Sequence, residues 1–296
     1  MTEQLVARLL GLQNADGGWG TTRGRPSNTE ATALCALALH GTSPAGGSAL
    51  DWLVARQRSD GGWPWTEELD APSWASVHGV LALAAAGRDP AAVERGVAWL
   101  LGVEGRGFEL RFRIREFLAR RKTIELDGTL IGWPWAQGTF SWIEPTALAL
   151  LALKTALPGR KPRRAAARIR EAEKMIIDRE CPGGGWNYGN KRVLGVDEVP
   201  YPDTTALALL ALQDVAAGAV KERGMRALTA LTDATGSGLA LSLGALCRRA
   251  YGLDADSFLT RARSRFDETG FMDETRVIAL AALAARDDSP YTLGPQ

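Results

Sequence analysis

The chain has 296 residues, of which 46% are hydrophobic and 23% charged, and its formal net charge is +1. This balance is typical of a globular protein with a sizeable core, and the charge gives no reason to expect nucleic acid as a partner. The longest apolar run, 145–153, is too short to span a bilayer, and Glu3 and Arg8 argue against a cleavable signal sequence. Three cysteines without Cys-x-x-Cys spacing indicate reduced thiols. We therefore expect a cytoplasmic protein, and contact with a membrane surface stays open.

A Gly-Trp turn recurs along the chain and precedes small, apolar helices. Its clear copies, 13–19 and 57–63, read Gln-Asn-Ala-Asp-Gly-Gly-Trp and Gln-Arg-Ser-Asp-Gly-Gly-Trp, and looser copies lie at 127–133 and 181–186. Four apolar helices follow these turns and are expected to begin near Thr32, Val77, Thr146 and Thr205. Two further apolar helices, which have no such turn before them, are expected to begin near Leu239 and Arg276. Self-similarity of this kind predicts six repeated units.

Each unit pairs two unlike helices. The helix before the turn is amphipathic and charged, as in 46–58 and 165–180, whereas the helix after it is rich in Ala and Leu on all sides. An all-round apolar helix is a buried one. An outer charged layer around an inner small-residue layer, repeated six times, predicts an all-α fold, an α6/α6 toroid, with an open solenoid as the alternative.

One segment breaks the repeat. Trp63 and Trp133 lie 70 residues apart, against 44 for the preceding pair of tryptophans, and the excess falls at about 105–127. This segment combines a helical apolar stripe with flanking arginines, namely Leu110, Ile114, Phe117 and Leu118 with Arg111, Arg115, Arg120 and Arg121. It is consistent with a lid, a diphosphate grip, a contact with anionic lipid or a solvated outer helix. We predict one toroid domain over 1–296 with this basic segment inserted.

The two clear turns resemble the Q-x-x-D-G-G-W repeat, or QW motif, of the superfamily that includes squalene–hopene cyclases and prenyltransferase β-subunits. The resemblance extends from about Leu5 to Leu283 and implies an α6/α6 toroid around an apolar cavity that houses isoprenoid chains. In physical terms, the Gln can hydrogen-bond the turn backbone or stack on the indole. The Trp would brace the joint between hairpins.

Several branches of this superfamily are disfavoured by missing residues. A zinc-dependent prenyltransferase needs an Asp, a Cys and a His late in the chain, but the histidines here are His40 and His78. The Cys-Gly-Glu-Gln segment of thioester domains is absent, as is a D-D-x-x-D magnesium motif. We therefore expect no metal at the site.

Class II terpene cyclases carry D-x-D-D-T-A at the mouth of an inner helix, where the middle Asp protonates an alkene or epoxide. Residues 201–206, Tyr-Pro-Asp-Thr-Thr-Ala, align with this motif on the Thr-Ala pair. The resemblance implies that Asp203 is the acid. Tyr201 and Thr204 replace two acids of the family motif.

The rim of the predicted inner barrel gathers several acids. One or two residues before the expected start of each inner helix stand Glu30, Ser76, Glu144, Asp203, Ser237 and Glu274. Helix capping is the alternative explanation, and 27–30 has the form of a capping box with Ser27 at N-cap. Glu144 precedes a proline, so we expect it at N-cap with Pro145 at N1.

Asp203 and Glu144 are the predicted catalytic pair. Their inner helices are consecutive, and two carboxylates facing an apolar cavity cannot both ionise cheaply, so one is expected to keep a proton. Aromatic faces stabilise cations. The aromatic residues predicted to bind substrate are Trp65, Trp135, Phe140, Trp142, Tyr188 and Tyr201.

The leading functional hypothesis is a class II terpene-cyclase-like enzyme that protonates and cyclises or isomerises a linear isoprenoid. It needs no cofactor, although a diphosphate-bearing substrate would bring Mg²⁺. The alternative is a non-catalytic toroid that binds an isoprenoid or lipid, or that serves in a complex. A glycan-processing α6/α6 enzyme is a third reading, which the QW turns disfavour. Substrate length and oligomeric state are not set by the sequence.

Overall fold

The structure is a computed structural model that describes residues 2–69, 71–107, 125–159 and 161–294. Within these ranges twelve α-helices alternate between two layers. The outer helices are α1 (Thr2–Leu10), α3 (Pro44–Arg56), α5 (Pro90–Gly102), α7 (Arg163–Asp178), α9 (Gly218–Asp233) and α11 (Asp256–Thr269). The inner helices are α2 (Thr29–Leu39), α4 (Ser76–Ala85), α6 (Ile143–Ala156), α8 (Pro202–Ala211), α10 (Gly238–Ala250) and α12 (Thr275–Ala284). The basic stripe predicted within 108–124 lies outside the described residues.

The inner helices form a closed ring. Each one packs against the next in chain order, and α12 packs against α2 as well. Arg8 on α1 forms an ion pair of 2.5 Å with Asp273, and the Thr275 N–H donates to the Thr21 carbonyl at 2.9 Å. Because each hairpin reverses the chain, the inner helices run parallel, and their N-termini share one end of the barrel, the N-terminal rim. The predicted all-α α6/α6 toroid is confirmed.

Small apolar residues explain why the inner layer is buried. Every residue of α2 is buried, and so are the residues of α6 from Ile143 to Lys154. Outer helices bury a single stripe instead, which in α7 contains Ala165, Ile169, Ala172 and Ile176 at spacings of three and four. The division into an inner and an outer layer therefore follows from residue size and hydrophobic pattern.

A tryptophan clip joins the outer and inner helix of each of the first four hairpins. In each clip the backbone N–H of the tryptophan donates to a side-chain hydroxyl on the inner helix, and its indole N–H donates to a backbone carbonyl on the outer helix. The clips are Trp19 with Thr32 and Leu9, Trp63 with Ser76 and Leu53, Trp133 with Thr146 and Leu100, and Trp186 with Thr205 and Ile176, at 2.7–2.9 Å. These tryptophans are at most 2% exposed. Their predicted bracing role is confirmed.

The other residues of the clear turns hold the backbone. Gln57 Nε2 donates to the Gly61 carbonyl at 2.9 Å, and the Gly62 N–H donates to Asp60 Oδ1 at 3.1 Å. Gly61 has a φ of 94°, and a Cβ there would lie 2.3 Å from the Arg95 carbonyl oxygen. Only glycine tolerates both the left-handed backbone and this close approach. Gln13 makes the same bond to Gly17 at 3.0 Å.

The last two hairpins differ from the first four, because the chain has no tryptophan after Trp186. Before α12 the chain forms a short 3₁₀ turn, Gly270–Asp273, with buried Phe271. A Cβ at Gly238 would lie 2.4 Å from the Phe271 ring, so this ring packs directly on α10. Phe271, Met272 and Asp273 have φ values of 50°, 52° and 59°. These left-handed conformations are strained for residues with side chains.

A small β-hairpin precedes α8 on the side of the N-terminal rim. Its strands, β1 (Arg192–Val193) and β2 (Val196–Asp197), pair antiparallel. The hairpin presents Leu194 and Val196 to solvent, with 60% and 66% of their surfaces exposed. Among the described residues no helix combines the length and the hydrophobicity that crossing a membrane requires.

Candidate functional site

The hydroxyls of the tryptophan clips fix which inner-helix residues occupy equivalent positions. Two residues before each clip hydroxyl stand Glu30, Trp74, Glu144 and Asp203. On the two helices without a clip, the second helical residues are Leu239 and Arg276. The sequence had placed Ser76, Ser237 and Glu274 in this set, but Ser237 is the N-cap of α10 and accepts the Ala240 N–H. Ser76 instead accepts the Trp63 N–H at 2.8 Å, and exposed Glu274 is the N-cap of α12.

Capping does not account for the acids of the rim. The N-cap of α2 is Asn28, whose side chain accepts the Ala31 N–H, so the predicted capping box with Ser27 is wrong. Ser27 is used by the preceding turn, where it donates to Asp16 Oδ1 at 2.8 Å. The expected N-cap position of Glu144 is also wrong, since α6 begins at Ile143 after the N-cap Trp142. A proline in the first helical turn lacks only an N–H that would have no partner there, so Pro145 is tolerated.

An ion-pair network crosses the inner barrel at the rim. Arg276 lies 2.6 Å from Glu144 Oε1 and 3.4 Å from Glu30 Oε1. Helices α6 and α12 lie opposite each other in the ring, so the Arg276–Glu144 pair spans the lumen. Both glutamates are 6% exposed. At this level the barrel interior is polar.

Burial and neighbouring charges set the protonation of this network. Burial raises the pKa of the Glu30 carboxyl, Arg276 opposes this shift, and the charge of Glu144 adds to it. For Arg276, burial lowers the pKa, but Glu30 and Glu144 outweigh this effect and hold it above the ordinary value. The network therefore contains one permanent positive charge and one carboxyl, Glu30, that resists ionisation.

His78 lies one helical turn below the rim position of Trp74. It is 2% exposed, and its Nε2 is 3.6 Å from Glu30 Oε1. This separation permits an ion pair if the imidazole is protonated. However, burial, together with the charge of Arg276, lowers the pKa of His78 to about 3. Desolvation is the larger effect in so buried a site, so His78 is neutral near pH 7. Neither ring nitrogen has a hydrogen-bond partner among the described residues.

Asp203 stands at the second position of α8, beside two tyrosines. Its side chain does not cap the helix, whose N-cap is Tyr201. The rings of Tyr188 and Tyr201 lie 5.2 Å apart, and each is a little over 40% exposed. Burial raises the pKa of Tyr188, and the charges of Asp203 and Glu144 raise it further. The predicted acids and tyrosines therefore share one side of the rim.

A tryptophan cluster, consisting of Trp65, Trp74 and Trp135, occupies another part of the rim. The Trp74 ring lies 5.4 Å from Trp65, 4.7 Å from Trp135 and 5.6 Å from the imidazole of His78. All three indoles are half-buried. Trp65 and Trp135 were predicted to bind substrate. Trp74, which contacts both, was not among the predicted residues.

The remaining predicted aromatic residues, Phe140 and Trp142, lie on the segment that leads into α6. Phe140 is 51% exposed, and Trp142 is half-buried as the N-cap. The Trp142 ring packs close to Gly189, where a Cβ would approach it to 3.3 Å. Both residues are therefore at the rim, outside the tryptophan cluster.

A cavity of about 650 Å³ opens between the second and third hairpins. Its wall is apolar and aromatic and includes Pro72, Trp74, Val77, Trp99, Trp133 and Trp135. Trp74 thus borders both this cavity and the imidazole of His78. A volume of this size accommodates a ligand of drug or sesquiterpene size.

The opposite end of the barrel is covered by the segment after α12. Tyr291 is 1% exposed, and its carbonyl accepts a hydrogen bond of 2.7 Å from Gln213. Gln213 Oε1 also accepts the Leu293 N–H at 3.0 Å. Burial raises the pKa of Tyr291, and Glu30, Glu144 and Arg276 act on it as well. The polar network therefore lies between the rim and this tyrosine.

The sequence signal missed His78 and Arg276. In the register set by the clips, the other inner helices place leucines where α4 has His78, namely Leu34, Leu148, Leu207, Leu243 and Leu280. A histidine among five leucines is the signal that could have identified His78. Arg276 could have been found as the one basic residue at the second position of an inner helix.

Comparison with known proteins gives one likeness in sequence. No family model matches the chain. A drimenyl diphosphate synthase from Streptomyces showdoensis is 38% identical over 101 residues, which cover 30% of this chain and 19% of the synthase. The match thus spans about a fifth of the length of that relative.

Solved structures share the fold at low identity. A protein from Actinoplanes matches over 97% of this chain and 100% of its own, with a TM-score of 0.58 and 17% identity. D-mannose isomerase matches over 95% of both chains, with a TM-score of 0.56 and 11% identity. A variant of type II terpene cyclase MstE from Scytonema, in complex with geranylgeranyl dihydroxybenzoate, covers 96% of both chains at 16% identity, and its TM-score of 0.41 supports no conclusion. The first two likenesses concern the fold.

Proposed function

We propose that this chain is a terpene-cyclase-like enzyme that protonates and cyclises or isomerises a linear isoprenoid at the N-terminal rim. The observation that carries the proposal is the position of the rim carboxyls. Glu30, Glu144 and Asp203 hold equivalent positions on their helices, and the ring that bears them also bears the tryptophan cluster and the tyrosine pair. Acids beside aromatic faces suit a reaction that creates a carbocation.

In this proposal Asp203 is the general acid. Its proton is transferred to an alkene carbon, which forms a C–H bond and leaves a cation on the neighbouring carbon. The aspartate left behind, or another base, takes a proton when the cation collapses to an alkene. Glu144 acts as modulator, because its charge lies near the same tyrosine and is held by Arg276.

The aromatic residues are proposed to stabilise the cation through their ring faces. On one side are Trp65 and Trp135, and on the other are Tyr188 and Tyr201. Phe140 and Trp142 extend the apolar surface at the rim. The cavity of about 650 Å³ beside Trp74 offers room for the hydrocarbon chain.

The substrate class is supported by the sequence likeness to the drimenyl diphosphate synthase. By analogy with this synthase, we propose that the substrate can carry a diphosphate, which would bring Mg²⁺ as its counterion. Protonation itself uses no cofactor. The exposed Leu194 and Val196 are proposed to touch a membrane surface from which an apolar substrate is drawn. We propose a cytoplasmic location.

One observation favours the alternative of a non-catalytic toroid that binds an isoprenoid or lipid, or that serves in a complex. Thr204 replaces an acid of the cyclase motif, and its buried hydroxyl donates to the Trp186 carbonyl at 2.7 Å. The residue at this position therefore stabilises the fold and cannot act as an acid. A module that only binds would keep the aromatic rim and lose the acid function.

The deciding experiment compares wild-type protein with Asp203→Asn. Each is incubated with squalene, farnesyl diphosphate or geranylgeranyl diphosphate, and hydrocarbon extracts are analysed by mass spectrometry. The proposal predicts a cyclic or isomerised product from wild type, and its loss by a factor of at least ~100 in Asp203→Asn.

Glu274→Gln is the matched control, because Glu274 is an exposed acid of the same rim. It should keep the product. Equal product from wild type and Asp203→Asn would contradict the assignment of the acid. Absence of product together with co-purified isoprenoid would favour the binding module.

A further inference from the structure

The inner barrel contains two buried side chains, Glu30 and His78, with polar atoms that find no hydrogen-bond partner among the described residues. Glu30 Oε1 and both ring nitrogens of His78 accept or donate no hydrogen bond within the described part of the chain. These side chains are 6% and 2% exposed. Buried polar atoms of this kind are strongly unfavourable unless a partner satisfies them, so they indicate a place where a bound molecule makes hydrogen bonds.

The geometry places both groups around one point of the lumen. His78 Nε2 and Glu30 Oε1 are 3.6 Å apart, which is too long for a direct hydrogen bond. A single oxygen atom of a ligand can reach both. Arg276 lies 3.4 Å from the same glutamate oxygen, but it is already bound to Glu144.

The charge at this point excludes an anion. Two carboxyls face one guanidinium, and the imidazole of His78 is neutral near pH 7 because burial lowers its pKa to about 3. A phosphate would be desolvated next to Glu30 and Glu144 with only one shared cation. A hydroxyl or carbonyl oxygen has no such cost, because it exchanges a hydrogen bond with water for one with the protein.

The ring of Trp74 stands between the subsite and apolar space. The Trp74 ring contacts the imidazole of His78 edge-on and also lines the cavity of about 650 Å³. A ligand whose hydrocarbon part lies along the tryptophan cluster therefore reaches His78 with its polar end when the Trp74 side chain moves aside.

We propose that Glu30 and His78 form a subsite for one neutral oxygen of the ligand, a hydroxyl or a carbonyl, and that the molecule bound here is an oxygenated isoprenoid with no phosphate at this end. The hydrocarbon part of this assignment rests on the proposed function. The oxygen subsite rests on the unpartnered groups alone.

The test uses the imidazole itself as reporter. The chain has two histidines, so ¹⁵N spectra of the side chains give two sets of signals, which His40→Gln assigns. Farnesol and farnesene, which differ at the oxygen, are added to the whole chain. We expect farnesol to shift the His78 nitrogens and to bind about tenfold more tightly than farnesene in wild type.

The matched variant is His78→Leu, which places at this site the leucine that the other inner helices carry. It should bind farnesene as wild type does and bind farnesol no more tightly than farnesene. Glu274→Gln should keep the tenfold preference. Equal affinity of the two probes in wild type, or an unchanged preference in His78→Leu, would overturn the subsite.

Cyclohexanol and cyclohexane separate this inference from the proposed function. If no isoprenoid binds or reacts but cyclohexanol alone shifts His78, the oxygen subsite stands and the isoprenoid function fails. If isoprenoids are cyclised but no alcohol shifts His78, the function stands and the subsite is refuted. If neither farnesol nor cyclohexanol shifts the His78 signals, the oxygen subsite is likewise refuted, and water is its only occupant.

Discussion

Replacing His78 by leucine should make the protein less sensitive to acid. His78 is buried next to Glu30 and Arg276, with Glu144 and Tyr291 in the same network, and its pKa is lowered from 6.5 to about 3. The folded state thus resists protonating this imidazole, whereas the unfolded chain protonates it freely below pH 6.5. A group with a depressed folded pKa contributes stability that is complete above the unfolded value and is lost as the pH falls toward the folded value.

The magnitude follows from the two pKa values. At pH 4 the unfolded imidazole is about 2.5 pH units below its pKa, while the folded imidazole is still mostly neutral, and each unit corresponds to about 1.4 kcal/mol. His78 should therefore lower the free energy of unfolding of wild type by about 3 kcal/mol between pH 7 and pH 4. His78→Leu lacks this contribution, so the stability difference between the two proteins should change by the same amount.

Urea unfolding, followed by tryptophan fluorescence and far-ultraviolet circular dichroism, measures this difference at pH 7 and at pH 4. His40→Gln is the control, because His40 is exposed and its replacement should leave the pH dependence of wild type intact. A stability difference between wild type and His78→Leu that is the same at both pH values would refute the reasoning. It would mean that the pKa of His78 in the fold does not differ from its value in the unfolded chain.

Two further substitutions test the clips and the ion-pair network. Thr205→Val removes the hydroxyl that accepts the buried Trp186 N–H, and it should lower the free energy of unfolding by about 1–3 kcal/mol in urea titrations. Arg276→Gln leaves Glu30 and Glu144 without their cation, and it should cost about 2–3 kcal/mol at pH 7. That cost should shrink toward pH 4, because unpaired acids have raised pKa values and their penalty grows as the pH rises.

Surface substitutions of the same kind provide the controls. Thr139→Val removes an exposed hydroxyl, and Arg23→Gln removes an exposed partner of Asp273, so each should cost less than about 0.5–1 kcal/mol. A Thr205→Val variant as stable as Thr139→Val would show that the clip contributes nothing. An Arg276→Gln penalty that is constant with pH would contradict the charge pairing of Arg276 with these glutamates.

The repeat allowed the fold to be predicted because its physical basis is local. The turn residues Gln57, Asp60 and Gly61 act within a few residues of each other, and each inner helix shows its burial in its own composition. Local patterns also predicted the bracing role of Trp63. What failed was the register, both in the second hairpin, where Trp74 rather than Ser76 holds the rim position, and where the pattern is degenerate. In the sixth hairpin, which has no clip, the basic residue at the second helical position was the one signal that Arg276, rather than Glu274, faces the lumen.

The polar network could not be predicted because it depends on the diameter of the ring. Glu144 and Arg276 are 132 residues apart and meet across opposite helices. Capping rules likewise failed at Ser27, because a tertiary contact with Asp16 competes for its hydroxyl. The aromatic rim was predicted better, since Trp65, Trp135, Tyr188 and Tyr201 lie on the segments that lead from the Gly-Trp turns into inner helices. Whether these residues and Asp203 carry out the predicted chemistry stays a prediction.

The closure between the first and last helices gives the ring a weak point. Hairpins one to four are clipped, whereas the last two have no clip. The turn between α11 and α12, which contacts α1 through the Arg8–Asp273 ion pair, holds strained Phe271, Met272 and Asp273. Local opening of the ring should therefore begin where α12 packs against α1 and α2. Amide hydrogens of α12 should exchange with solvent before those of α4 or α6. Because Arg276 sits on α12, each such opening would withdraw the cation from the lumen. The barrel would then admit molecules from its side, between α12 and α2, as well as through its rim.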